Sequence, residues 1–365
     1  MSEKQAQGMD PKGQVFKGAA AIVYAASVPI DGSYVDQSRI SAACADMAAA
    51  GGLKGKRVLD VGCGFGTTTM AIARYCPARI VAIDSSEQHI ELFRTIIEGE
   101  LDLRAYLEGK SANEVLGDYY EPTLRAFQNM RIEYRGGLFR RLGGELTPII
   151  GSSLEIPNGN MPPFDAVIGN NFLHWPMNQR KAEYLKQGVP ESEAVQQAFR
   201  DAVMPLRRAL ADGGVLTLLE PKDFVRLDDD PEIDTAIEQT CHVRHPVFIA
   251  LNTELNRLLH ERHGIERKVP TTSPIFNRSK LELQFHECGL RLEAVKMVEA
   301  TFSCSTLDWV FVRLPMWLGQ VNLPFETKLA LAGEVREFLR RDLSAEVLAQ
   351  PIRSYFFVFV ARRVG

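Results

Sequence analysis

No cysteine in this 365-residue chain stands in a CxxC pair: the six, at positions 44, 63, 76, 241, 288 and 304, are scattered. That excludes a disulfide framework and a zinc ribbon, and leaves reduced, mostly buried thiols. An excess of charge is missing too. Lys and Arg number 42 against 46 Asp and Glu, a formal charge of -4, so nothing global draws the chain to nucleic acid or anionic lipid, and the short basic run RRLGG reads as a solvated face. Long apolar runs are absent. None approaches the roughly 18 residues of a membrane span, and the polar start MSEKQAQGMDPKGQVFKG has no signal-peptide core, so the expected setting is the cytoplasm with no membrane partner. Internal repeats and low-complexity tracts are lacking as well.

What is present is an ordinary globular composition, 45% hydrophobic and 24% charged, in a chain long enough for one large α/β domain with insertions or for two modest ones. Residues 1 to 15 read as disordered and 16 to 52 as short helices. From there, short apolar runs bounded by Gly, Pro or Asp alternate with helical patterns: KRVLDVG (56–62), ARIVAID (78–84), FDAVIGNN (164–171) and GGVLTLLEP (213–221). Runs of this kind are parallel strands covered on both faces by crossover helices. LTPIIG (146–151) is a weaker strand, and its Pro148 assigns it to an edge. A helix over SEAVQQAFRDAVMPLRRALADGG contains Pro205, which is expected to kink it. LRLEAVKMVEATFS (290–303) and SYFFVFVARRV (354–364) form a terminal strand pair separated by a helix. The expected division is an N-terminal helical lid segment, 1–52, and a doubly wound domain, 53–365. Insertions at about 95–144 and 222–282 exceed what a crossover needs and emerge where strands end, where they would cover a site.

The stretch VLDVGCGFGTTTMAIARY places glycines at 62, 64 and 66 between the first strand and the helix after it. In a doubly wound sheet this loop is the default ligand site, because its backbone is bare and a helix begins there. A dinucleotide fingerprint would want its third small residue at 67, where Thr67 stands, and the lysine of a P-loop is missing. The acid closing the second strand, Asp84, can accept both hydroxyls of an unphosphorylated ribose, which suits an adenosine-bearing cofactor.

VLDVGCGFG, VAIDSS, FDAVIGNNFLHW and LRRALADGGVLTLLEP in succession resemble the motifs of class I S-adenosylmethionine-dependent methyltransferases, particularly the small-molecule branch, over about 56–221. The resemblance implies a Rossmann-like seven-stranded sheet of order 3-2-1-4-5-7-6, the last strand antiparallel, with S-adenosyl-L-methionine as cofactor. It puts Gly62, Cys63 and Gly64 under the methionine moiety, Asp60 near its amino group, Asp84 on the ribose and Ser85 beside the adenine. Asn170 would face the methionine end. Where the family often has an acid reading the adenine, GSSLEIP has Ser152, so Ser153 and Leu154 would contribute through backbone or hydroxyl groups.

By the same resemblance His174, in NNFLHWP, faces the acceptor beside Trp175 and is the first candidate base. Glu220, closing the fifth strand, is the second. Tyr24, Tyr34, Tyr119, Tyr120, Trp309, Phe311 and Trp317 offer aromatic surface for an apolar or aromatic small-molecule acceptor. His242, His245, His260 and His263 lie near Cys241, but HxxH without a Glu is no metal motif, and no metal is expected. The leading expectation is methyl transfer to a small molecule, oxygen favoured over nitrogen or carbon. A cofactor-binding or lyase-like role, and a nucleic-acid methyltransferase, are the alternatives. The net charge and the absence of an NPPY-like tetrapeptide oppose the second, and a homodimer is left open.

Overall fold

In a computed structural model, the described residues are 19–27, 46, 53, 55–75, 79–98, 102–136, 145–156, 161–221, 225–226, 244–266, 276–303, 314, 318, 321 and 323–365. The strands are β1 (Arg57–Val61), β2 (Arg79–Asp84), β3 (Glu145–Ile150), β4 (Phe164–Asn170), β5 (Leu210–Pro221), β6 (Val225–Arg226), β7 (Phe276–Asn277), β8 (Leu290–Ser303) and β9 (Pro351–Arg363). Helices α1 (Ala19–Ser27), α2 (Thr67–Tyr75), α3 (Glu87–Glu98), α4 (Leu103–Glu108), α5 (Ala112–Leu116) and α6 (Tyr120–Gly136) accompany the first half. The second half has α7 (His174–Lys186), α8 (Glu191–Ala209), α9 (Pro246–His263), α10 (Arg278–Glu287), α11 (Phe325–Asp342) and α12 (Ala345–Ala349).

Seven strands form one sheet in the order β3-β2-β1-β4-β5-β9-β8. The first five are parallel, and β9 runs antiparallel between β5 and β8. Renumbered within the sheet, this is the expected order with the last strand antiparallel. β3 is an edge strand, where Pro148, opposite Ala82, withholds no hydrogen bond from a further neighbour. Pro205 lies inside α8, which continues for another turn beyond it.

Alternation along the strands separates two cores. Val58, Ile80, Ile168 and Val358 face α2, α9 and α11; Leu59, Val61, Val167 and Phe357 face α8 and α10. A third cluster joins α1, α3 and α4 to α6. The first insertion is thus a helical subassembly built on α3. The second differs from its expected role as a cover: Val247, Phe248, Leu251, Leu255, Leu258 and Leu259 of α9 are buried in the first sheet core. Their helical spacing makes an apolar stripe that the sheet face absorbs. Tyr34, Trp309, Phe311, Trp317, Cys241 and His242 lie outside the described residues. Among the described residues no helix is long and apolar enough to cross a membrane.

Candidate active site

The glycine loop leaves β1 toward α2. The Gly62 and Cys63 N–H groups both donate to the Ile83 carbonyl, at 2.8 and 3.2 Å, which fastens the loop to the end of β2. The glycines are bare for different reasons. Gly62 has φ +65°, and a Cβ there would stand 2.4 Å from the Phe172 ring. Gly64 has φ +54° and nothing within 4 Å of a Cβ, so the backbone at 64 borders open space.

Two carboxylates flank this loop. Asp60 is 1% exposed. Its Oδ2 accepts from the Thr69 hydroxyl on α2, while Oδ1 is buried with no partner among the described residues. Burial first, then the charge of Asp84, push its pKa up to about 7 against the opposing Thr69 hydrogen bond. The same causes, burial foremost, hold the Cys63 thiol well above its usual range. Asp84 Oδ2 accepts from Gly64 N–H at 2.9 Å and Oδ1 from Ser86 N–H at 2.8 Å, leaving lone pairs on both oxygens for hydroxyl donors. Among the described residues neither carboxylate pairs with Lys or Arg. The cradle is therefore electronegative and suits a cationic ligand rather than a pyrophosphate. Ser85 is exposed beside Asp84. Across β2 from it, the Ser152 hydroxyl accepts from Leu154 N–H at 3.2 Å, and Ser153 and Leu154 open a single 3-10 turn.

At the ends of β4 and β5 the chain builds a second constellation. Asn170 donates from Nδ2 to the Thr68 hydroxyl at 2.8 Å, joining the end of β4 to the first turn of α2. Asn171 takes φ +54° and donates its N–H to the Leu219 carbonyl at 2.7 Å. Glu220, fully buried, accepts through Oε1 from the N–H groups of Phe172 and Leu173 at 3.0 and 2.5 Å, and its Oε2 lies 2.7 Å from His174 Nδ1. These donors open α7, where unsatisfied N–H groups favour a carboxylate. Glu220 was expected as a second base, but it stands behind His174 with both oxygens engaged. The His174 side chain is 23% exposed, and its Nε2 has no hydrogen bond among the described residues. With Nδ1–H turned to a carboxylate, Nε2 carries the free lone pair. The Trp175 ring lies 5.2 Å away and is 37% exposed.

The other aromatic candidates among the described residues sit elsewhere. Tyr24 stands 5.6 Å from His89 at the Asp84 end of the cradle, because α1 packs on α3. Tyr120 is buried among the helices of the first insertion, and the Tyr119 hydroxyl meets Arg336 of α11. His245 caps the start of α9, accepting from Val247 N–H at 3.3 Å, while His260 and His263 occupy its last turn, about 22 Å away along the axis. Sequence reading missed His89, Thr68, Thr69 and Phe172. The threonines could have been read from TTT directly after the glycines; Phe172 and His89 are recognisable only from what they touch.

The family model for "Methyltransferase domain" matches residues 58–115, from β1 through the glycine loop and Asp84 into the first insertion. Residues 58–115 thus match a methyltransferase domain, and the sheet around them has the Rossmann-like order expected of class I S-adenosylmethionine-dependent enzymes. The residues fit S-adenosylmethionine, the cofactor that the resemblance implies: the orphaned Asp60 Oδ1, the open face of Gly64 and the acidic cradle suit its ammonium and sulfonium. No curated protein matches the chain. Among solved structures, YcgJ from Bacillus subtilis is similar at 14% identity over 88% of this chain and 98% of that one, with TM-score 0.39. The [4+2]-cyclase SpnF gives 15%, 89%, 82% and 0.40 in the same terms. Magnesium protoporphyrin IX methyltransferase from Synechocystis PCC 6803 gives 13%, 90%, 83% and 0.36. At these values the three likenesses bear on nothing this chain does.

Proposed function

We propose that this methyltransferase moves a methyl group to a small apolar or aromatic acceptor, an oxygen in preference to a nitrogen or carbon, with His174 as general base. The observation that carries the reading is the 2.7 Å contact between His174 Nδ1 and the fully buried Glu220. A carboxylate behind an imidazole fixes its tautomer and stabilises the cation formed when Nε2 takes a proton. Such a base is useful for a hydroxyl or phenol, which must lose its proton as the bond to carbon forms. It is superfluous for an acceptor that is already an anion. S-adenosylmethionine supplies an electrophilic methyl group on a sulfonium; the chain's part is to align the acceptor and exclude water.

In this reading Asp60 lies beside the cofactor's ammonium, Gly62, Cys63 and Gly64 pass beneath its methionine moiety, and Asn170 borders that end. Asp84 takes the ribose hydroxyls. Ser85, Ser152, Ser153 and Leu154 border the adenine. Trp175 would give the acceptor an aromatic wall. Glu220 acts through His174 and is a positioning residue.

The test is transfer of labelled methyl from the cofactor to panels of phenols, alcohols, carboxylic acids and amines. Label should enter the phenol or alcohol panel, and His174→Ala should lower that turnover about 100-fold, with cofactor affinity unchanged. Label in no panel, with the cofactor bound, would overturn the reading in favour of a non-transferring role. Full activity in the alanine variant would remove His174 from the chemistry.

A further inference from the structure

His89, on the first turn of α3, touches three parts of the molecule at once. Its ring is 2% exposed, and Nδ1 lies 4.0 Å from Asp84 Oδ1. The imidazole donates a hydrogen bond to the Ala21 backbone of α1. Its ring centroid is 5.6 Å from that of Tyr24, also on α1, and 6.2 Å, edge-on, from that of Phe65 in the glycine loop. The neighbours that fill the same slot, Ile90, Leu92 and Phe93, are apolar and buried. An apolar residue would satisfy that packing at no desolvation cost, whereas a buried imidazole has to be stabilised by what it bonds. Burial holds its pKa below the usual imidazole value against the pull of Asp84, so at neutral pH it is uncharged and has one N–H to give. That N–H goes to α1.

Val23, Ala25 and Ala26 of α1 are fully buried against the α3 to α6 helices, a smooth contact of small residues that fixes the helix on its bed but not its position along it. The hydrogen bond to Ala21 and the Tyr24 ring supply that position, and both meet at the side chain that faces the ribose carboxylate.

We propose that His89 is a positioning residue that docks α1 against the ribose carboxylate Asp84, with Tyr24 closing the adenosine end, so that α1 docking and cofactor binding reinforce each other. The inference rests on the assignment of S-adenosylmethionine to this cradle and adds a coupling to it. Such coupling is reciprocal: if a docked α1 raises cofactor affinity, bound cofactor raises the protection of α1 by the same factor.

The test joins calorimetry with S-adenosylhomocysteine, the stable demethylated product, to hydrogen exchange of the 19–27 amides in the full-length protein. In the wild type, product binding should slow α1 exchange. His89→Phe keeps a ring and loses the donor; it should bind the product about tenfold more weakly and leave α1 exchange unresponsive. His89→Asn, whose amide nitrogen stands where Nδ1 does, should recover most of the affinity and the response. The proposal is overturned if α1 in His89→Phe responds as in the wild type, or if His89→Asn is as impaired as His89→Phe. Should His89→Phe fail to fold, the wild type decides: bound product with unchanged α1 exchange overturns the coupling alone. A wild type that binds no product overturns the cofactor assignment, and this inference with it.

Discussion

The two ends of the site are built on opposite principles. At the end proposed for the cofactor the working parts are neighbours in sequence: Asp60 to Gly64 run from the end of β1 into the glycine loop, Asp84 closes the adjacent strand, and backbone N–H groups at 62, 63, 64 and 86 make most of the bonds. At the acceptor end one side chain, Glu220, gathers a turn 46 residues away in the chain, holding Phe172, Leu173 and His174 together. A site fastened by backbone tolerates the loss of a side chain better than one fastened by a single carboxylate.

The largest effect should therefore follow from Glu220→Ala. It leaves two buried N–H groups and the His174 ring without their acceptor, a loss of about 4 kcal/mol in unfolding free energy. Turnover should fall to about that of His174→Ala, because the ring loses its direction along with its carboxylate. Denaturant titration and turnover assays check both. A variant as stable as the wild type would show that the acceptor end does not hang on this residue.

Asp60 sharpens the contrast from the other side, since its burial opposes stability when the cradle holds no ligand. A carboxyl raised to about 7 in the folded state releases its proton in the unfolded chain near pH 4. Its contribution is thus full below pH 4 and is lost as pH rises through 7, on the order of 4 kcal/mol in all. Glu254, Glu293 and Asp342, whose pKa values are lowered chiefly by arginine hydrogen bonds, lose stability in the opposite direction, at lower pH, so the windows separate. Unfolding free energies without cofactor should fall between pH 4 and 8 more steeply in the wild type than in Asp60→Asn. Parallel profiles would sink the assignment of a high pKa to Asp60.

This division also governs what could be read from the sequence. Parallel strands show as short apolar runs, and a bare loop shows as glycines at fixed spacing, so the sheet was legible from KRVLDVG, ARIVAID, FDAVIGNN and GGVLTLLEP and the glycine loop from VLDVGCGFG. Long-range side-chain pairing leaves no such trace. His174 stood out through its neighbours Leu173 and Trp175, but nothing near Glu220 marks it as the residue behind that histidine rather than a second base. α9 was misjudged for another reason. Its histidines suggest a polar face, while Val247, Leu251, Leu255 and Leu258, spaced for one helix face, specify a buried stripe.

Asp84→Ala tests whether the cofactor end has any side chain of Glu220's importance. It removes the acceptor for the Gly64 and Ser86 N–H groups as well as the proposed ribose contact, and should weaken cofactor binding by about 1 to 3 kcal/mol by calorimetry. The fold should survive, since the loop keeps its bonds to the Ile83 carbonyl. Unchanged cofactor affinity would remove the ribose assignment.

The smallest change in stability should come from Gly64→Ala, and it discriminates most finely between a loop shaped for packing and one shaped for a ligand. Among the described residues nothing lies within 4 Å of a Cβ at 64, so the cost to the folded chain is an alanine at φ +54°, about 1 kcal/mol. At Gly62 the same substitution drives a Cβ against the Phe172 ring and so disturbs the turn that carries His174. If the open face at 64 is where the methionine moiety lies, Gly64→Ala should lose cofactor affinity out of proportion to its small loss of stability. Gly62→Ala should instead lose stability and turnover together. Equal cofactor affinity in Gly64→Ala and wild type would mean that the bare backbone at 64 serves the turn alone, and that the ligand approaches the loop from another side.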